Sequence, residues 1–339
     1  MFPLKVTPYN SIFKVLGWFQ DYILKSVLYI MTNVEKFLDY FSKHCPVCFP
    51  AIQQTHSNHK ESFEELAEIT LGWAEGHLGE NWCKPLADGY LHFLMDVTRS
   101  QIEYERRGSY LNKSYDDVFD RVYNNPEFMN LYHWGVFVSG FAWEHLIKIY
   151  DFYRKSFLPC LNTDEGRLLE LGSGSGVWSL LSTHFLPQWT SQGIDISEKS
   201  VELSIAMAKN SKLSNKVRFK AYDALTFKGD NKYNAGISCF LMEHLEKPQL
   251  LLQNMASNLL PRGYAFIIVA LTAAEIDHIY EFRRESEVLF MAEEAGFRVI
   301  SMYSSAPSPR VLQAFNTNSH RFLPRSLALV LQKRKNDIW

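Results

Sequence analysis

Beyond Pro159 the chain alternates short apolar runs with helical stretches, and this alternation limits the fold more than any other feature of the sequence. The runs are Arg167–Leu171, Ser191–Ile196, Val217–Tyr222, Asn234–Cys239, Tyr264–Ala270, Phe297–Tyr303 and Leu327–Gln332. Helical stretches begin near Val177 and Lys199 and recur near Pro248–Leu260 and Glu285–Ala295. Each such helix carries the chain back to begin the next strand in parallel, so the pattern predicts an α/β, Rossmann-like, doubly wound sheet of seven mostly parallel strands. The last two runs follow one another without a long helix, so at least one should be antiparallel.

Ahead of Pro159 the helical period dominates. Glu61–Glu75, Lys84–Arg107, Ser114–Tyr123 and Trp134–Phe157 read as helices, with Ser114 as an N-cap followed by Asp116 and Asp117 in the first turn. Earlier still, Phe13, Leu16, Phe19, Tyr22, Ile23 and Val27 recur at helical spacing and suggest an amphipathic helix. Gln20, Asp21 and Lys25 interrupt that stretch, so it is not expected to span a membrane. The expected organisation is an all-helical N-terminal domain, residues 1–158, and a sheet domain, residues 159–339. The aromatics are skewed: 12 of the 17 Tyr and 5 of the 8 Trp precede residue 161. That skew suggests a helical half that closes over an apolar or aromatic substrate.

The first apolar run leads through Glu170 and Leu171 directly into Gly172, Gly174 and Gly176, and a helix then begins. Alternate glycines allow a tight turn and the close approach of a ligand, while the helix N-terminus offers free N–H groups to an anion. The dinucleotide fingerprint does not fit, because its third glycine would fall on Val177 or Ser179. Asp195 ends the next strand, where a carboxylate can take both hydroxyls of a ribose. Asp223 ends the third, where an oxygen can accept from an adenine amine, and Glu170 can meet an ammonium group.

At these residues the sequence resembles the class I S-adenosylmethionine-dependent methyltransferases, over about residues 162–333. Glu170 to Gly176 is similar to the family's glycine-rich motif, and Asp195 and Asp223 to the acids of its second and third strands. Ile237–Leu245 resembles the fourth-strand segment, and Leu260–Gly263 the turn before the fifth. Asn234 replaces an acid often found in that fourth strand, and Gly263 stands where two glycines are usual. The resemblance implies S-adenosyl-L-methionine as cofactor, held by Glu170, Gly172, Ser173, Gly174, Gly176, Asp195, Ile196, Asp223, Ala224 and Phe240. It implies methyl transfer to an O, N or S nucleophile. An inactive binding or scaffold protein, and an enzyme using the same cofactor for another group transfer or a rearrangement, are the alternatives.

Candidates for catalysis follow the fourth and fifth strands: His244, His278 and Tyr280. Tyr132 and Trp134, with His244 and His278, are expected at the substrate. Each has a plainer reading. His244 would be a helix-start histidine bonded to backbone, the segment from Asp277 to Phe282 an exposed first turn of a helix, and Tyr132 and Trp134 core packing. Tyr104 to Tyr110 reads as a solvated helix end.

Lys and Arg number 35 against 37 Asp and Glu. That balance, with no Asn/Asp-Pro-Pro-Tyr/Phe element after the fourth strand, points to a small organic substrate and not to nucleic acid. Five cysteines in 339 residues suit a cytoplasmic, reducing setting. Cys45 and Cys48, with His56 and His59, have the spacing of half a zinc site, but without a second Cys pair no metal is expected. A homodimer formed through the helical region is a further expectation.

Overall fold

The computed structural model describes residues 31–123, 125–161, 163–230, 232–307 and 324–335. The amphipathic stretch Phe13–Val27 lies outside them. Among the described residues no helix is long and apolar enough to cross a membrane.

The helical half comprises α1 (Asn33–His44), α2 (Phe49–Asn58), α3 (Lys60–Leu78), α4 (Cys83–Arg107), α5 (Pro126–Ala142) and α6 (Glu144–Phe152). Local chemistry sets several of their ends. Thr32 and Glu35 form a reciprocal capping box at the start of α1. Gly108 ends α4 in the left-handed region, at φ 75°. Asn125 caps α5, whose first residue is Pro126. Where the spacing predicts one helix over Trp134–Phe157, the structure has two. Trp143 is extended between α5 and α6, its indole N–H donating to the Tyr90 hydroxyl at 3.1 Å and its ring stacked on Phe93. That side-chain anchoring overrides the local periodicity. The predicted helix at Ser114–Tyr123 is a short turn, Asp116–Val118, continued as a π-turn over Phe119–Tyr123.

The seven strands are β1 (Gly166–Leu171), β2 (Trp189–Asp195), β3 (Val217–Ala221), β4 (Tyr233–Cys239), β5 (Leu259–Leu271), β6 (Phe297–Ser305) and β7 (Arg325–Lys333). Helices α7 (Val177–Phe185), α8 (Glu198–Asn210), α9 (Gln249–Asn258) and α10 (Glu285–Glu294) connect or flank them. Their order is β3-β2-β1-β4-β5-β7-β6. Strands β1 to β5 run parallel, and β7 is antiparallel to both β5 and β6. The expected fold class is therefore observed. Strand order reverses between β1 and β4, and that switch opens a crevice at their carboxyl ends.

Alternation along the strands sends side chains into two cores. Leu168, Ile237, Phe266 and Ile268 join the core that contains the N-terminal helices, while Leu169, Leu171, Ile267 and Val269 pack on the other face with Leu251, Leu252 and Val288. Phe266 is the joint. Its ring meets Tyr153, Phe157 and Trp178 at 5.3–5.8 Å between centroids. The helical half thus shares an apolar core with the sheet. Each buried aromatic side chain contributes about 1.5–3 kcal/mol to that contact.

Two histidines in this half are buried and uncharged. Burial lowers His133 to about 4 and, with some help from Lys148, His145 to about 3. A folded-state pKa below the unfolded value makes protonation oppose folding. Their stabilising contribution is present above about pH 6.5 and is lost as pH falls, by about 1.4 kcal/mol per pH unit for each group. The variant His145→Phe, which can keep the stacking on Trp143, is expected to flatten the loss of Tm between pH 7 and pH 5. Parallel slopes for both proteins in thermal melts would contradict this.

Candidate functional site at the switch point

The turn after β1 is built for close approach. Gly172, Gly174 and Gly176 all have positive φ, at 74°, 51° and 77°. A Cβ on Gly172 would lie 2.7 Å from Leu241, and one on Gly176 would lie 2.5 Å from Phe219. These two glycines are fixed by crowding as well as by dihedral. Gly174 differs, since among the described residues nothing lies within 4 Å of where its Cβ would stand, and so none of them crowds the crown of the turn.

The acids surround that crown. Asp195 Oδ2 accepts from Gly174 N at 2.8 Å, and Oδ1 accepts from Ser197 N at 2.9 Å. Asp223 Oδ1 accepts from Leu225 N at 2.8 Å, and Oδ2 from the Thr226 hydroxyl at 3.1 Å. Glu170 is 1% exposed, accepts from Ser179 N in the first turn of α7, and is pushed by burial up to about 8. Ser173 Oγ is buried without a partner among the described residues. A row of carboxyl groups along the ends of β1, β2 and β3, a glycine crown and an orphaned hydroxyl suit S-adenosylmethionine. Ala224 is buried beside Asp223, and Ile196 is half exposed beside Asp195.

A second group of side chains stands beyond β4 and β5. Phe240 and Thr272, one residue past those strands, take positive φ of 53° and 50°. Non-glycine residues held this way cost about 1–3 kcal/mol each, and they turn the following loops across the sheet edge. The loops are tied together: Ile279 N and Tyr280 N donate to Glu243 O, and Ala270 N donates to Glu243 Oε1. Glu243, His244, Glu275, Asp277 and His278 come together there. His244 Nδ1 lies 3.3 Å from Asp277 Oδ2 and 3.3 Å from the Tyr123 hydroxyl, which donates to the same Asp277 oxygen at 3.2 Å. Burial alone would lower His244, but Asp277, followed by Glu243 and Glu275, carries it up to about 10. Burial raises Glu275 to about 8 and Glu243 to about 7, and lowers His278 to about 3.

The helical half holds the loop after β5 in place. The Tyr110 hydroxyl donates to Ala273 O at 2.7 Å, Asn112 Nδ2 donates to Ile276 O and His278 O, and Ala274 N donates to Gln101 Oε1. Tyr104 and Tyr110, expected on a solvated helix end, are buried, and Tyr104 donates to Glu281. Only the charged residues between them follow the expectation, with Arg106 and Arg107 pairing with Glu103 at the surface. The segment from Asp277 is likewise neither exposed nor helical: Asp277 and His278 are each 1% exposed in an irregular loop.

Not every residue expected at the site reaches it. His244, His278 and Tyr132 do, the last donating to Glu275 Oε2 at 3.4 Å. Trp134 packs between His77 and Phe137 in the helical core. Tyr280 turns its ring onto Phe282, on the side of Glu287. Asp277 belongs to the polar and aromatic segment expected near the substrate after the fifth strand, whereas Tyr123, Glu243 and Glu275 are not among the expected site residues. The acids adjoin residues that were singled out, but nothing near Tyr123 in sequence marks it. At the cysteine pair, Cys45 and Cys48 are buried and burial raises the Cys48 thiol to about 12, which disfavours a thiolate. His56 pairs with Glu64 and His59 with Glu144.

Fold and site together define a Rossmann-like protein with a glycine crown and three carboxyl groups at the β1/β4 switch and further polar groups beyond β4 and β5. The chain belongs to the methyltransferase-domain family, which it matches over residues 143–318, and that family binds S-adenosylmethionine. A comparison with curated proteins finds none that matches. Among solved structures, an O-methyltransferase from a trans-AT PKS multienzyme of Brevibacillus brevis, in complex with S-adenosyl-L-homocysteine, is 14% identical over 56% of this chain and 74% of its own, with a TM-score of 0.45. The [4+2]-cyclase SpnF is 14% identical over 73% of this chain and 97% of its own, also at 0.45. A SAM-dependent methyltransferase from Geobacter sulfurreducens, in complex with S-adenosyl-L-homocysteine, is 17% identical over 53% of this chain and 89% of its own, at 0.41.

Proposed function

We propose that this protein transfers a methyl group from S-adenosylmethionine to an O, N or S nucleophile of a small organic molecule. The observation that carries this reading is the Tyr123, His244 and Asp277 constellation beyond β4 and β5, whose His244 is close enough to Asp195 at the glycine turn for their charges to interact. When bound, the cofactor supplies a methyl group already made electrophilic by its sulfonium. The chain's own residues must then place the acceptor in line, exclude water and remove a proton.

In this reading Glu170, Asp195 and Asp223 hold the cofactor's ammonium, ribose and adenine, with Gly172, Ser173, Gly174, Gly176, Ile196, Ala224 and Phe240 around it. His244 turns Nδ1 to Asp277 and Tyr123, which leaves Nε2 for the acceptor. Asp277 orients the imidazole and, with Glu243 and Glu275, holds it protonated up to about pH 10, so His244 takes the acceptor's proton only from its neutral form and turnover should rise with pH. Glu275 and His244 keep 21% and 10% of their side-chain surface exposed, so the acceptor would enter on their side. The helical half, residues 1–158, forms the acceptor's roof through Tyr123 and Tyr132.

The test incubates the purified full chain with S-adenosylmethionine and fractionated metabolite extracts, and follows S-adenosylhomocysteine together with mass gains of one methyl group. Both are expected to rise together in at least one fraction. Cofactor binding with no S-adenosylhomocysteine from any fraction would overturn methyl transfer in favour of a rearrangement or a binding role.

A further inference from the structure

We infer that Glu275, Asp277 and His278 form a binding site for one divalent first-row metal ion, in the loop that follows β5. Each of the three brings one ligand atom within 4.8 Å of the other two. Ligands about 2.1 Å from a shared ion stand between about 3 and 4.2 Å apart, so a modest contraction would satisfy an ion at the centre.

The protonation of His278 follows from its partner. Its Nδ1 lies 2.7 Å from Ala273 O, and a carbonyl can only accept, so the proton is on Nδ1 and Nε2 carries a lone pair. That lone pair faces Glu275 Oε2 at 4.0 Å. The Tyr132 hydroxyl also donates to that oxygen at 3.4 Å, and an ion between the two atoms would take a lone pair from each. An imidazole that donates its other nitrogen to a backbone carbonyl is also the usual posture of a metal-bound histidine.

Burial and charge agree with this. Among the described residues Asp277 Oδ1 has no hydrogen-bond partner, although the residue is 1% exposed, and Glu243 Oε2, on a residue that is 0% exposed, has none either. Glu243 and His244 each bring a ligand atom within 4.8 Å of His278, so they stand beside the same place. Among the described residues no Lys or Arg forms an ion pair with Glu243, Glu275 or Asp277, and the cationic partner of Asp277 is His244. An orphaned buried carboxylate oxygen is expensive, and a divalent cation removes that cost. One imidazole with carboxylates favours Mn²⁺, Fe²⁺ or Zn²⁺ over Mg²⁺, which binds nitrogen poorly.

The full-length protein, stripped with a chelator, is titrated with Mn²⁺, Fe²⁺ under anaerobic conditions, and Zn²⁺. Calorimetry reads all three, and loss of the free-ion EPR signal reads Mn²⁺. At least one of the three is expected to bind at one ion per chain and to raise Tm. His278→Ala and the isosteric Glu275→Gln should each weaken binding at least ten-fold, while the double variant Cys45→Ser/Cys48→Ser should bind as the parent does. Circular dichroism confirms that Glu275→Gln is folded. Sub-stoichiometric binding of all three ions, binding untouched by both site variants, or binding abolished by the cysteine variant would overturn the site. Affinity for S-adenosylmethionine, measured on the same stripped protein, reports separately on the methyl-transfer reading.

Discussion

Asp195→Ala is expected to weaken S-adenosylmethionine binding by about 100-fold, as measured by isothermal titration. A carboxylate that takes both ribose hydroxyls makes two charge-assisted hydrogen bonds, each contributing about 1.5–3 kcal/mol. Loss of both, set against rehydration of the ribose, removes about 3 kcal/mol, or two decades in Kd. The same carboxylate holds Gly174 N and Ser197 N, so its removal also loosens the crown of the glycine turn. Asp195→Asn retains one accepting oxygen and should fall between the two, near ten-fold. An Asp195→Ala protein that binds within three-fold of the parent would remove Asp195 from the cofactor site.

The second large effect is expected at His244. His244→Gln should lower kcat by about 10²–10⁴-fold near pH 10, where the parent imidazole becomes neutral, the usual worth of a positioned proton acceptor, while leaving the Kd for S-adenosylmethionine within about two-fold. The split between kcat and Kd is the informative part. A change that only disturbed packing would move Tm and cofactor affinity together, whereas loss of a base moves turnover alone. Tyr123→Phe removes one hydrogen bond to Asp277 and leaves the imidazole paired, so a smaller loss, about ten-fold, is expected. Single-turnover formation of S-adenosylhomocysteine at saturating acceptor measures both. Parent-like turnover in His244→Gln would show that the acceptor needs no base from this residue.

The sheet was legible from residue 159 onward because period-2 and period-3.6 patterns are local properties of short segments. The antiparallel ending was legible for a similar reason, since the sequence between Phe297–Tyr303 and Leu327–Gln332 carries no long helical pattern to return the chain. Helix ends in the first half were read less well. The break at Trp143 depends on Tyr90 and Phe93, more than 45 residues away, and no local signal announces it. Tyr104 and Tyr110 looked solvated beside Glu103, Arg106 and Arg107. Their burial comes from docking on the loop around Ala273 and Glu281, more than 160 residues later.

The same division runs through the candidate site. Gly172, Gly174 and Gly176, with Asp195 and Asp223, could be placed from sequence alone, because each sits at the end of a recognisable strand and its work depends on the backbone just beside it. His244 and His278 could be nominated for the same reason. Their surroundings could not be. The contact of Tyr123 with His244 and Asp277, the crowding of three carboxylates around two imidazoles, and the turning away of Trp134 and Tyr280 exist only once α4 and the residues up to Tyr123 are laid across the loop after β5. Strand order and the glycine turn are written in neighbouring residues. The ionisation and partners of the groups opposite them depend on burial by segments far away in the chain, and burial is a property of the packed molecule alone.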